Sequence, residues 1–279
     1  MGFKTAIQTS KAMRKLVMIG CNIISVFTLM NSVNGQGNPV ADSYFIKAAD
    51  FRKNMKTDSA LIYYEKAAVQ FQNLGNIEKF VDSYNQIGVI LTRGDAYEKA
   101  KVYLDKALGE GLKSLDSNNL AIATTYISLG VIYNALAKYD QSLVYHYKAL
   151  SIRRLKLGDY HTDVATSYGN IGNVHRNNKE IDKSIAAHLE ALKIREKILG
   201  ETSAEIIGSY EGLGNAYREK KEYGTSLGYF ERALKNKLIQ RGEGHKDLIK
   251  YYKYISEVYY LMGNKFKGDQ YKQKSENQI

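Results

Sequence analysis

Two histidines, His146 and His188, are the first residues whose type and spacing suggest chemistry, because they lie 42 positions apart. Imidazoles that converge on one point bind zinc and related metals. This spacing, however, places the rings on neighbouring structural units rather than on one face of one helix. We therefore predict that both rings pack in a core, with metal binding as the minor alternative. His161 and His245 have no acidic or histidine cluster near them at ligand spacing.

A second candidate is the glycine-containing segment 169–172, because glycine-rich loops bind phosphate groups. Here the segment falls inside a predicted helix, no strand precedes it, and no Gly-Lys-Ser/Thr follows it. The sequence also contains no His-Glu-x-x-His motif and no Gly-x-Ser-x-Gly motif. We predict no catalytic residue, no metal and no cofactor, and hence a protein that is not an enzyme. A hydrolase with a convergent site is the weakest hypothesis.

The elements that position these residues are repeats of fixed length. Four glycines are 42 residues apart, and each ends a Tyr-x-x-(Ile/Leu)-Gly pattern: Gly88, Gly130, Gly172 and Gly214, with Tyr84, Tyr126, Tyr168 and Tyr210. Small residues recur 12 and 19 positions after each glycine. A fixed period of roughly 20 to 50 residues is typical of a solenoid, in which each unit buries its apolar face against its neighbours. Each unit is predicted to be a helical hairpin.

Helical periodicity sets the boundaries of each hairpin. Around Gly172 the first helix is predicted over 163–177 and the second over 181–199. Gly158 and Gly200 are expected to end second helices in the left-handed conformation. Short polar loops at 159–162, 201–204 and 243–246 then lead into the next unit.

Two weaker units flank the clear four, centred on Ala48 and on Ser256. The helix that follows Ser256 is polar, as a helix that caps an exposed core must be. We therefore predict an all-α solenoid of about six hairpins over residues 41–276.

The first 35 residues differ from the remainder. Four basic residues precede an apolar run over 16–30 and a small, polar segment, with Val33 and Gly35 at plausible cleavage positions. This layout is typical of a secretory signal. We predict a signal over 1–35, a linker over 36–40, and export to the periplasm, cell surface or medium. The alternatives are an uncleaved membrane anchor and lipid attachment at Cys21.

Charge also bears on the partner. The net charge is +11, and the four basic residues of the leader account for part of it, which leaves +7 after cleavage. Lysine and glutamate intermix along the repeats instead of forming the basic face that nucleic-acid binding requires. We expect a protein or peptide partner and no nucleic acid. Oligomeric state stays open.

The repeat resembles the tetratricopeptide repeat, because its Tyr, Leu, Gly, Tyr, Ala, aromatic and Ala positions match and only the final proline is missing. The longer period and the Leu-Gly-(Asp/Glu)-x-(His/Ser) linkers resemble the kinesin-light-chain subtype, which bacteria also use. The resemblance implies a right-handed superhelix whose first helices line a concave groove. It also implies an aromatic core residue at the positions of His146 and His188.

The family's groove-facing positions correspond here to amide and basic side chains, namely Asn85, Asn134, Asn173, Arg176, Asn177, Asn215, Arg218 and Lys253. Amides donate to and accept from a peptide backbone, and arginine binds a carboxylate through two hydrogen bonds. The alternative is a merely solvated helix face. The family's carboxylate clamp is not expected, because Gly169 and Glu211 stand where its lysine would be.

Three functional hypotheses follow from the sequence. The leading one is a non-catalytic scaffold that binds a peptide or a partner protein in the groove. The second is the sensor arm of a signalling or protease assembly whose effector is another chain. The third is the hydrolase already mentioned.

Overall fold

Twelve α-helices follow one another through residues 38–277, the part of the chain that this computed structural model describes. They are α1 Pro39–Lys53, α2 Thr57–Asn73, α3 Ile77–Arg93, α4 Tyr97–Ser114, α5 Leu120–Ala135, α6 Tyr139–Leu157, α7 Thr162–Asn177, α8 Ile181–Leu199, α9 Ile207–Glu219, α10 Tyr223–Arg241, α11 Ile249–Leu261 and α12 Lys265–Glu276. They pair as six consecutive hairpins, numbered 1 to 6 from the N-terminus, which confirms the predicted all-α solenoid. None of the helices within 38–277 is both long and apolar enough to cross a bilayer.

The predicted signal over 1–35 lies outside the described residues. The linker predicted over 36–40 is too long, because α1 already begins at Pro39. The side-chain oxygen of Asn38 accepts from the amides of Val40 and Ala41, and proline occupies the first turn. Asparagine at the cap and proline just inside it are both favoured at a helix start.

Each hairpin turns through one residue of positive φ, two positions before its second helix begins. These residues are Met55, Asp95, Ala137, Lys179, Lys221 and Gly263. Between hairpins, Gly158 and Gly200 have positive φ, as predicted, at 79° and 77°, but ψ is 168° and 166°. The expected left-handed helical conformation is therefore wrong at these two glycines. They adopt an extended positive-φ conformation that is essentially restricted to glycine.

Two of the predicted loops are partly helical. Short 3₁₀ turns at Ala204–Ile206 and Lys246–Leu248 precede α9 and α11. His245 Nδ1 accepts from the amide of Asp247 at 3.1 Å, and His161 Nδ1 accepts from the amide of Asp163 at the same distance. These two histidines therefore cap helical turns, as short polar acceptors do.

The glycine ladder lies where the two helices of a hairpin touch. A Cβ atom on Gly130 would lie 2.6 Å from the ring of His146, and one on Gly214 would lie 2.6 Å from the ring of Phe230. In hairpin 6 the two residue types are exchanged, with the serine on the first helix and the glycine on the second. Ser256 Oγ donates to the carbonyl oxygen of Gly268 at 2.8 Å, so the close contact is kept. The ladder thus sets the approach of the helices, as predicted.

Candidate functional site

The inner surface of the stack is formed by the first helices of the hairpins. Successive first helices α3, α5, α7 and α9 contact one another, whereas each second helix packs mainly against the first helices on its two sides. Helices on the inside of a curved stack come closest together. The candidate residues lie on these first helices, from α3 to α11.

Asn85 is the first of these candidates, and it is buried. Its side chain is 1% exposed, and its Nδ2 donates to the carbonyl oxygen of Ala121 at 3.0 Å. The amide joins hairpin 2 to hairpin 3 and offers no surface to a ligand. The prediction that Asn85 faces the groove is wrong, because the start of α5 covers this position.

The two arginines of the candidate set bridge neighbouring hairpins. Arg176 Nη1 lies 2.9 Å from Glu219 Oε1, and Arg218 Nη1 lies 2.5 Å from Glu257 Oε2. Arg218 Nη2 also donates to Asn215 Oδ1 at 3.1 Å. The arginine and its ion pair to the next hairpin therefore both recur after 42 residues. Glutamates of the chain already occupy the guanidinium groups that would bind a ligand carboxylate.

The remaining candidates divide into a bridging pair and two exposed residues. Asn177 Nδ2 donates to Asn134 Oδ1 at 3.1 Å, which links hairpin 4 to hairpin 3. Asn173 and Lys253 are exposed on the same series of first helices. The structure thus brings most of the predicted set into one ladder of polar contacts, with Asn173 beside it.

His146 and His188 are core residues. Their side chains are 1% and 2% exposed, and burial lowers the pKa of each to about 4. His188 lies between Gly172 of its own hairpin and Gly212 of the next. Within residues 38–277, no group of three or more His, Cys, Asp or Glu side chains has a metal-binding arrangement. Both rings occupy the position that Leu104 and Phe230 fill in other hairpins.

Two structural positions were missed in the sequence, namely the buried arginines Arg153 and Arg195. Arg153 Nη1 donates to Ser167 Oγ at 3.0 Å, and Arg195 Nη1 donates to Ser209 Oγ at 2.5 Å. Each guanidinium reaches from a second helix to the first helix of the next hairpin. One signal in the sequence could have revealed them. The two arginines are 42 residues apart, and each lies on a face of a second helix that is predicted to be apolar.

Comparisons with known proteins agree with this architecture. The family profile described as tetratricopeptide repeat matches three overlapping stretches, residues 80–155, 121–197 and 163–239. Comparison with curated protein sequences finds no match.

Among solved structures, BtubC (BKLC) from P. vanneervenii is similar, with a TM-score of 0.66 and 17% identity over 81% of this chain and 89% of that one. A putative kinesin light chain with nearly identical TPR-like repeats from P. anserina has a TM-score of 0.59 and 14% identity over 74% and 99%. A tetratricopeptide repeat protein from Parabacteroides merdae has a TM-score of 0.55 and 13% identity over 84% and 78%. At these identities the likeness concerns the fold.

Six stacked hairpins with a polar inner face form the architecture of a protein-protein interaction scaffold. The profile matches extend over more than half of the chain. The chain belongs to the tetratricopeptide repeat family.

Proposed function

We propose that this chain is a non-catalytic scaffold that holds an extended peptide, or a segment of a partner protein, against the inner face of hairpins 3 to 6. The observation that carries the proposal is the exposed amide of Asn173, which lies on α7 one turn from the Arg176 bridge. An amide that is accessible to solvent donates to and accepts from a peptide backbone. Backbone recognition of this kind suits partners of varied sequence.

The charges of the inner face support a mixed rather than a strongly charged ligand. Arg176 and Arg218 are already paired with glutamates, and Lys250 Nζ lies 2.7 Å from Glu211 Oε1. Partly exposed pairs of this kind contribute only about 0.2 to 1 kcal/mol each. A ligand carboxylate therefore displaces Glu219 or Glu257 from its arginine at small cost.

Site-specific photo-crosslinking tests the groove. A benzoylphenylalanine residue replaces Asn173 in one variant and Val144, which is 52% exposed on α6, in the matched control. The reaction is carried out in the cells that produce the protein, with products identified by mass spectrometry. We expect one reproducible partner from position 173 and none from position 144. Equal crosslinking from both positions would contradict groove binding.

Variants of the inner face then test the residues. With the purified partner, we expect Asn173→Ala and Asn215→Ala together to weaken binding by about tenfold, which corresponds to about 1.4 kcal/mol. The control Val144→Ala should leave the Kd unchanged. An unchanged Kd in the asparagine variant would show that the partner binds elsewhere.

We also propose export, which rests on the leader alone. Fractionation and N-terminal sequencing of the mature protein should find a chain that begins near Gln36. A full-length chain in the cytosol would overturn this proposal. The sensor-arm alternative stays a second proposal, and it gains support only if the crosslinked partner is a kinase or a protease.

A further inference from the structure

Five of the six hairpins share a triad that consists of two tyrosines and a cation. A first-helix tyrosine is followed 19 residues later by a second-helix tyrosine, and a lysine or arginine comes three residues after that. The triads are Tyr44/Tyr63/Lys66, Tyr84/Tyr103/Lys106, Tyr126/Tyr145/Lys148, Tyr210/Tyr229/Arg232 and Tyr252/Tyr271/Lys274.

The geometry of the five triads is consistent. The two rings have centroids 5.3 to 6.3 Å apart. The cation lies 4.8 to 5.9 Å from the centroid of at least one ring. A cation at this distance from a tyrosine face is attracted by the quadrupole of the ring. The chain thus covers its own tyrosines with its own cations.

Hairpin 4 departs from the triad at two of its three positions. Tyr168 is present, but the second tyrosine is replaced by Ala187 and the cation by Glu190. Ala187 is buried, so no ring projects from this position. Glu190 keeps 51% of its side chain exposed. In hairpin 4 the cation beside the tyrosine is therefore missing. A side chain of another protein that takes its place must bring a positive charge to Tyr168.

A cleft of about 170 Å³ lies at this position. It is lined by residues of hairpin 4 and by residues from the end of hairpin 3 and the loop that follows it, namely Tyr168, Glu190, Lys193 and Ile194, and Arg154, Asp159 and Tyr160. Most of the charges around the cleft are already matched. Arg154 Nε lies 2.6 Å from Asp159 Oδ1, and Lys197 Nζ lies 3.3 Å from the ring centroid of Tyr160.

Glu190 is the carboxylate with the weakest pairing at this cleft. Its contact with Lys193 is 3.8 Å long, and the lysine side chain is 65% exposed. A long, exposed ion pair contributes little and is readily exchanged. A second cation that approaches Tyr168 therefore meets both a tyrosine surface and a carboxylate.

We propose that the cleft beside Tyr168 binds a lysine or arginine side chain of a partner protein. The charged end of that side chain lies between the Tyr168 ring and Glu190, and its apolar stem lies in the cleft beside them. This site uses none of the inner-face candidates, so it anchors a partner independently of the groove. It also distinguishes hairpin 4, whose equivalent positions elsewhere are filled by the chain itself.

NMR of the full chain with ¹³C-labelled tyrosine rings tests the site. The probe is Nα-acetyl-arginine N-methylamide, and the control compound is Nα-acetyl-glutamine N-methylamide. Tyr168→Phe assigns the Tyr168 signal. We expect that signal to shift with a Kd in the roughly millimolar range, as befits one side chain in a shallow site. The signal of Tyr126, which has its own Lys148, should not move.

Variants that change the charge of Glu190 test whether this carboxylate binds the probe, while circular dichroism checks that the fold is unchanged. Glu190→Lys installs the residue type that hairpins 1, 2, 3 and 6 carry, so it should fold with an unchanged circular dichroism spectrum and lose at least tenfold in affinity. Glu190→Gln should weaken the probe a few-fold. The matched control Glu231→Lys, an exposed residue on α10, should leave the Kd within twofold. The proposal is overturned if Tyr168 shows no saturable shift, if all tyrosine signals move together, or if Glu190→Lys binds as well as the parent chain.

Discussion

The interior of each hairpin and the seam between hairpins hold their helices together by different means. Inside a hairpin, a glycine or serine lets a bulky side chain contact the opposite backbone, as Phe230 does at Gly214. Across the seam, Arg153 and Arg195 carry buried guanidinium groups that donate to hydroxyls of the next hairpin. The interior is therefore governed by steric fit, and the seam depends in addition on hydrogen bonding. Variants of the two regions should respond differently.

The largest effect is expected inside a hairpin, for Gly214→Ala. The added Cβ would lie 2.6 to 2.9 Å from three atoms of the Phe230 ring, so the helices must separate. Overpacking costs about 1 to 3 kcal/mol or more, which exceeds the roughly 1 kcal/mol gained in helix propensity. At the upper end of the overpacking range, we expect a net loss of about 2 kcal/mol in the free energy of unfolding, measured with urea.

Gly228→Ala is the matched control on α10 of the same hairpin. No atom lies within 4 Å of its added Cβ, so only the propensity term applies. This variant should gain up to about 1 kcal/mol. If the two variants change stability in the same direction, the steric account of the ladder is wrong.

The second effect concerns the buried histidines of hairpins 3 and 4. Burial lowers the pKa of His146 to about 4, while the unfolded chain has a pKa near 6.5. The unfolded state therefore binds the proton first, and stability falls as the pH drops from about 7 towards 4. At pH 5 the loss should be about 2 kcal/mol for this residue.

His146→Leu tests this assignment, because hairpin 2 carries Leu104 at the same position. Urea unfolding at pH 7.5 and pH 5 should show a smaller pH dependence for the variant than for the parent chain. The His161→Leu control changes an exposed cap and should leave most of the dependence in place. An identical pH dependence in the His146 variant would contradict burial of its neutral form.

The seam should show a smaller and asymmetric effect. Ser209→Ala removes the acceptor of Arg195 Nη1, although Nη2 keeps Thr166 Oγ1, and should cost about 1 to 2 kcal/mol, because one buried donor loses its partner. Arg195→Met removes the charge together with its need for a partner, so it should be nearly neutral. Both are measured by urea unfolding. A larger loss for Arg195→Met than for Ser209→Ala would show that the guanidinium itself stabilises the seam.

A smaller effect is expected at the turn inside hairpin 4. Lys179 has φ of 63°, a conformation that costs a residue with a side chain roughly 1 kcal/mol relative to glycine. Hairpin 6 has Gly263 at the equivalent position, with φ of 76°. Lys179→Gly should therefore raise stability by up to about 1 kcal/mol, and Gly263→Lys should lower it similarly. Thermal unfolding of both variants checks the sign.

Sequence periodicity predicted the steric interior well and the polar seam poorly. The 42-residue spacing located every first helix and set α7 to within one residue, because small residues at fixed offsets report the approach of two backbones. It could not show that Asn85 is covered by α5, or that Glu219 and Glu257 reach Arg176 and Arg218. Those contacts depend on the angle between hairpins, which the spacing within one hairpin does not determine.

The smallest effect is expected for the Arg176–Glu219 ion pair between hairpins 4 and 5, and it tests whether Arg176 is free to bind a peptide. A double-mutant cycle of Arg176→Ala and Glu219→Ala should give a coupling of about 0.5 kcal/mol, because both side chains are about one quarter exposed and solvent screens the pair. Coupling this weak leaves the arginine able to exchange Glu219 for a carboxylate of a bound peptide. Glu219→Ala alone should then keep or tighten partner binding, while Arg176→Ala weakens it. If both single variants weaken binding equally, the Arg176–Glu219 pair only stabilises the packing of hairpin 4 against hairpin 5. Asn173, and not Arg176, then contacts the peptide in the groove.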